Sequence, residues 1–214
     1  MFRLQAPFSM KQALSDLLTL LDLEQIETNL FRGVSPDEGW QRVYGGQVIG
    51  QALVAASRTV DDPSRSAHSL HGYFLRPGDT TCPILYQVDR IRDGRSFTTR
   101  RVKAIQKGQA IFSMSVSFQV MEAGLEHQMT APSAPPPEDC KSEEMLMDEY
   151  LRDVPEADST FVKRPRPIEM RFADPMNDAN PQPLAPEQSV WIKTIDTMPD
   201  DVRLNQCLLA YASD

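Results

Sequence analysis

The densest basic segment of the chain runs from Arg90 to Lys107 and holds Arg90, Arg92, Arg95, Arg100, Arg101, Lys103 and Lys107, against a formal net charge of −8. Strand residues alternate faces, so Arg90 with Arg92, and Arg101 with Lys103, form same-face pairs that could grip a phosphate. The same pairs could equally be solvated edge charges that discourage aggregation. The acidic balance argues against a general nucleic-acid binder, which needs a net basic surface. A small anion needs only a local patch, because salt screens charges beyond roughly 10 Å.

Other chemistry is sparse. His68 and His71 are expected on opposite faces of one strand, with strand packing as the plain alternative to a role as base, and no GxSxG motif offers a serine nucleophile. Cys82, Cys140 and Cys207 are far apart and show neither a CxxC nor a Cys/His spacing, so disulfides and a structural metal are not expected. Gly45-Gly46 opens a helix: it either lets a ligand approach free backbone N–H groups or simply makes a tight turn with close packing. Asp214 falls seven residues after Cys207, on the apolar side of a helix with Ala210 and Tyr211. A carboxylate there needs partners, and the alternative is a solvated aspartate.

The elements that must position these residues follow from periodicity. Ser9 caps a helix with Gln12 at the capping-box position, and Met10, Ala13, Leu14, Leu17, Leu18 and Leu21 follow at helical spacing. A short strand is expected near Asn29 to Val34, then a helix on GGQVIGQALVAAS whose Val48, Ile49, Ala52, Leu53 and Ala56 form an apolar face. Four strands are read at about 67–75, 84–91, 96–105 and 109–119, separated by RPGD, RDG and KGQ turns. The last alternates Phe112, Met114, Val116 and Phe118 with Ser113, Ser115 and Ser117. A buried helix followed by antiparallel strands is an α+β pattern, a sheet wrapped around one helix, which is the hot-dog arrangement.

Residues 1–120 therefore read as one complete repeat with a leading helix. Residues 121–166 read as a proline-rich and acidic linker with a short helix from Ser142 to Arg152, and 167–214 as the first part of a second repeat. In that second part SVWIK echoes NLFRG, and Gln206, Leu208 and Ala210 match Gln51, Leu53 and Ala55 at a constant offset. The second copy stops inside its helix, so the sequence reads as C-terminally truncated, with Leu208 and Tyr211 expected to lose part of their cover.

With FRG at Phe31–Gly33, GGQVIGQAL at Gly45–Leu53, HSLHGYFLRPGD at His68–Asp79, PSAPPP at Pro132–Pro137 and LLAYASD at Leu208–Asp214, the chain resembles the acyl-CoA thioesterase II family. The resemblance implies two hot-dog repeats and hydrolysis of fatty acyl-CoA to free acid and CoA, without metal or nucleotide cofactor. It also implies an aspartate, a threonine and a glutamine in the site. Only the aspartate maps here, as Asp214; the other two match no residue of this sequence. Asp214 would orient or deprotonate a water that attacks the thioester. Gly45, Gly46, Arg90, Arg92, Arg101 and Lys103 are the candidate contacts to acyl-CoA and its phosphates.

The reading from a different class is a noncatalytic acyl-CoA-binding or scaffold fragment. Hydration of enoyl-CoA would want a histidine paired with the aspartate, and none lies near Asp214. A homo-oligomer is expected for the full-length protein, as duplicated hot-dog folds commonly pair. Neither a secretory signal nor a membrane span is read, which places the protein in the cytoplasm, or the peroxisome if eukaryotic.

Overall fold

The computed structural model describes residues 10–36, 41–156 and 165–214. Helix α1 (Met10–Leu21) has the expected spacing, with Leu17 and Leu21 buried, while the Ser9 cap lies outside the described residues. Strands β1 (Glu24–Glu27) and β2 (Leu30–Gly33) form a hairpin in which Asn29 takes a left-handed φ of 59°. Sequence reading found β2 but not β1, whose EQIE is exposed throughout and carries no apolar alternation.

Helix α2 (Gly45–Arg58) is followed by β3 (Arg65–Phe74), β4 (Ile84–Asp93), β5 (Phe97–Gln106) and β6 (Gln109–Val120). Between β5 and β6, Lys107 and Gly108 both adopt positive φ, the two-residue turn that matches the twist of a hairpin. The six strands form one antiparallel sheet in the order β1-β2-β4-β5-β6-β3. Its inner face buries Tyr86, Val88, Val102, Ala104, Phe112, Met114, Val116 and Phe118. Ala52, Leu53, Ala55 and Ala56 of α2 are equally buried, and the helix contacts β2 to β6. This is the expected α+β sheet around a helix.

Two β-bulges alter the expected facing. The register passes from Arg90↔Arg100 to Arg92↔Thr99, so Ile91 is the extra residue. Arg90 thus shares the side of buried Arg100 while Arg92 shares the opposite side with Thr99, and the expected same-face pair is split. Arg101 and Lys103 do share the outer face, opposite Ser115 and Ser113. A second bulge between Ala67 and Ser69 turns His68 outward to Ser117 at 2.8 Å, onto the face that also carries His71, instead of opposite it.

Further along, β7 (Lys141–Ser142), α3 (Glu143–Asp153), β8 (Ile168–Phe172) and β9 (Val190–Thr194) precede α4 (Val202–Ala212). Ser142 caps α3 by accepting from Met145 N, and the three strands form an antiparallel sheet in the order β7-β8-β9. The described residues divide into two compact units, Leu17–Leu125 with Met198–Asp214, and Glu126–Thr197 with the chain up to Asp16. The stretch read as linker contributes β7 and α3 to the second unit, and α4 groups with the first because it packs along α2. Leu208, expected to lose cover, is buried with Cys207 and Ala210, and Tyr211 is half-buried.

Candidate active site

The site begins at the N-terminal turn of α2. Tyr44 is the residue before the helix and provides no side-chain cap. Its hydroxyl instead donates to the carbonyls at the end of α4, at 3.2 Å from Tyr211 O and 3.0 Å from Asp214 O, and the Tyr44 and Tyr211 rings meet edge-on at 5.1 Å. The Gly46 N–H donates to Asp214 Oδ2 at 3.1 Å. A helix start offers unpaired N–H groups and a positive dipole end, so the carboxylate is held where both attract it.

This contact depends on small residues. A Cβ on Gly46 would lie 2.1 Å from Tyr211 O, and one on Gly45 would lie 2.7 Å from Asp214 Oδ2 and 2.8 Å from the Phe74 ring. Asp214 itself stands two residues past Ala212, the last residue of α4, and is exposed, rather than on the buried stripe expected from helical spacing.

Residues of α4 also tie it to the sheet. The Gln206 amide bonds Ala67 N at 3.0 Å and Ala67 O at 2.7 Å, at the β3 bulge. Arg203 donates to Ser57 O and Val60 O at the end of α2, to Arg65 O at 2.9 Å, and to Asp62 O. Arg100, fully buried, adds bonds to Thr59 O and Thr59 Oγ1. Two guanidinium groups thus donate to carbonyls at the end of α2, its negative dipole end.

Asp214 lines a cavity of about 380 Å³ with Gly45 and Val48 of α2, Phe74 and Phe112 of the sheet, the Leu75 to Gly78 turn, Ile111, Val43 and Arg42. The wall is mixed: Val48, Phe74, Ile111 and Phe112 are apolar, and Arg42, Arg76 and Asp214 are its charged members. Of the sequence candidates, the structure brings Asp214, Gly45 and Gly46 together. Arg90, Arg92, Arg101 and Lys103 do not line this cavity: Arg90 binds Asn29 Oδ1 and Asp61, and Lys103 faces Asp89 at 4.0 Å. Arg42, Tyr44, Phe74 and Arg76 went unrecognised. Only Arg76 carried a sequence signal, as the first residue of the RPGD turn.

A larger cavity of about 460 Å³ lies between the end of α1, α2 and α4, beside Cys207. Its arginines are engaged, Arg58 with Asp22 and Leu23 O, and Arg203 with backbone carbonyls. Burial pushes the Cys207 thiol up to about 12, which makes it a poor nucleophile. Among the described residues no three His, Cys, Asp or Glu side chains cluster to hold a metal, and no helix is long and apolar enough to cross a membrane.

Comparison with known proteins agrees with this architecture. Residues 36–119 match the acyl-CoA thioesterase N-terminal domain, and 157–214 match the acyl-CoA thioesterase family. Acyl-CoA thioesterase 2 of Haemophilus influenzae is 42% identical over 205 residues, covering 96% of this chain and 71% of that protein. The crystal structure of acyl-CoA thioesterase II TesB2 from Mycobacterium marinum superposes with a TM-score of 0.69 at 42% identity, covering 92% of this chain and 67% of that one. A protein with a hot-dog fold from Alicyclobacillus acidocaldarius, 18% identical, shares the fold with a TM-score of 0.68 over 91% of this chain and 68% of that one. The six-stranded sheet around α2 is a hot-dog fold, and the chain belongs to the acyl-CoA thioesterase family.

Proposed function

We propose that the protein hydrolyses fatty acyl-CoA thioesters to free acid and CoA, and that Asp214 orients and deprotonates the attacking water. The observation that carries this reading is the Asp214 carboxylate, held at 3.1 Å by the Gly46 N–H in a cavity that Val48, Phe74, Ile111 and Phe112 also line. One carboxylate oxygen is engaged by that N–H, and the other is available to a water. The water adds to the thioester carbonyl, the tetrahedral intermediate expels the CoA thiolate, and the proton taken by Asp214 returns to sulfur. Val48, Phe74, Ile111 and Phe112 offer the apolar surface that an acyl chain needs.

One other reading is a noncatalytic acyl-CoA-binding chain. Incubation with decanoyl-CoA and palmitoyl-CoA separates the two. Appearance of free thiol together with one equivalent of fatty acid supports hydrolysis, whereas acyl-CoA that is bound and recovered intact supports the binding reading.

A further inference from the structure

We propose that Arg42 and Arg76 form the anion-binding rim of the Asp214 cavity and take the phosphates of the CoA half of a thioester. This rests on the acyl-CoA reading of the same cavity. The two arginines come from loops far apart in sequence, and a backbone bond joins those loops: Val43 N donates to Gly78 O at 3.0 Å. The approach is close enough that a Cβ on Gly78 would lie 2.9 Å from the Val43 side chain. Arg42 adjoins one end of this bond and Arg76 lies two residues from the other, so both guanidinium groups belong to one rim.

Their charge is not cancelled by the described residues around them. Among the described residues Arg42 makes no hydrogen bond or ion pair, and Arg76 donates Nη1 to a neutral carbonyl, Ala110 O, at 2.8 Å. The acid of the same turn, Asp79, is tied to Lys107 at 2.6 Å and to Thr81. The remaining charge lining the cavity is Asp214. A ligand fits if it is neutral where it meets Asp214 and anionic where it meets the arginines. A CoA thioester has that polarity, its neutral carbonyl being separated from its phosphates by the pantetheine arm. A free fatty-acid carboxylate lacks it and is repelled by Asp214, which favours product release. The other basic side chains of β4 and β5 fit less well, because Arg90 and Lys103 already face acids and the Ile91 bulge separates Arg90 from Arg92.

The test uses the non-hydrolysable thioethers S-decyl-CoA and S-decyl-pantetheine, the second without nucleotide or diphosphate, measured by calorimetry on the 214-residue chain and on Arg42→Gln, Arg76→Gln and Arg101→Gln. Loss of a charge-assisted phosphate contact should weaken S-decyl-CoA about tenfold in Arg42→Gln and in Arg76→Gln, with S-decyl-pantetheine unchanged and Arg101→Gln silent. Arg42→Gln is the cleaner probe, because among the described residues that side chain makes no hydrogen bond or ion pair to be lost with it. The proposal is overturned if S-decyl-CoA does not bind the unsubstituted chain, if Arg42→Gln leaves its affinity intact, or if both ligands weaken equally. Hydrolysis of decanoyl-CoA with a KM indifferent to Arg42 would sink this inference and leave the proposed reaction standing. Arginine-dependent binding without thiol release would do the reverse.

Discussion

Gly46 donates its backbone N–H to the Asp214 carboxylate, joining the first turn of α2 to the second residue after α4. The bond exists because neither Gly45 nor Gly46 carries a side chain, yet the two glycines do different work. A Cβ on Gly46 meets backbone, Tyr211 O at 2.1 Å, whereas one on Gly45 meets the ends of the Asp214 and Phe74 side chains. Gly46→Ala must push α4 away from α2 and should cost about 3 kcal/mol in urea denaturation, as overpacking does. Gly45→Ala should cost well under half of that, because side chains can swing aside, while displacing Asp214 and lowering thiol release. Equal melting of the two variants would contradict this division.

Arg100 is the largest fully buried polar side chain, and it donates to Thr59, Arg92 O, Thr99 O and Asp93. Arg100→Met removes those donors at once. Breaking a buried ion pair costs roughly 3–5 kcal/mol, and the lower end is expected here because Asp93 is 57% exposed and can be rehydrated. A denaturation midpoint unchanged from the parent chain would show that the network is incidental.

The exposed pair of Asp79 and Lys107 gives a pH signature. Hydrogen bonds from Lys107 and then Thr81 hold the Asp79 carboxyl well below the usual carboxylate range, and Asp79 in turn raises Lys107. The lowered Asp79 contributes stability that is present above the unfolded carboxyl value of about 3.9 and is lost as pH falls through its own lower value. Asp79→Asn should therefore be less stable than the parent at pH 7, by a small margin suited to a solvated pair, with the gap closing toward pH 2. A gap that widens on acidification would contradict the assignment.

The three cysteines should differ in reactivity. Cys207 is buried, with burial and the Asp201 charge raising its thiol to about 12, whereas Cys82 is partly exposed. At pH 8 iodoacetamide should label Cys82 first, and Cys207 only under unfolding conditions, since the thiolate is the reacting form. Peptide mapping after brief labelling checks this, and early modification of Cys207 would refute its packing against α2.

What was legible in the sequence was what period alone decides. The alternation of Phe112, Met114, Val116 and Phe118 places β6, and the small apolar residues from Val48 to Ala56 place α2. The bulges at Ile91 and His68 were not legible, since counting by twos assumes regular register and each extra residue reverses the facing beyond it. Regular alternation therefore pairs Arg90 with Arg92 and separates His68 from His71, and the bulges reverse both. Contacts made by single side chains between distant elements were hidden for a different reason: nothing in the residues around Tyr44, Arg203 or Gln206 encodes a partner on another element. The resemblance singled out Asp214, and the Gly46 N–H supplies its observed partner.

Asp214→Asn tests the central claim most directly, because asparagine keeps an oxygen for the Gly46 N–H and loses only the basic carboxylate. Thiol release from decanoyl-CoA should fall by ~10²–10⁴-fold, the usual contribution of a general base, while affinity for S-decyl-CoA stays within a few-fold of the parent. Release that persists unchanged in Asp214→Asn would show that water is activated elsewhere.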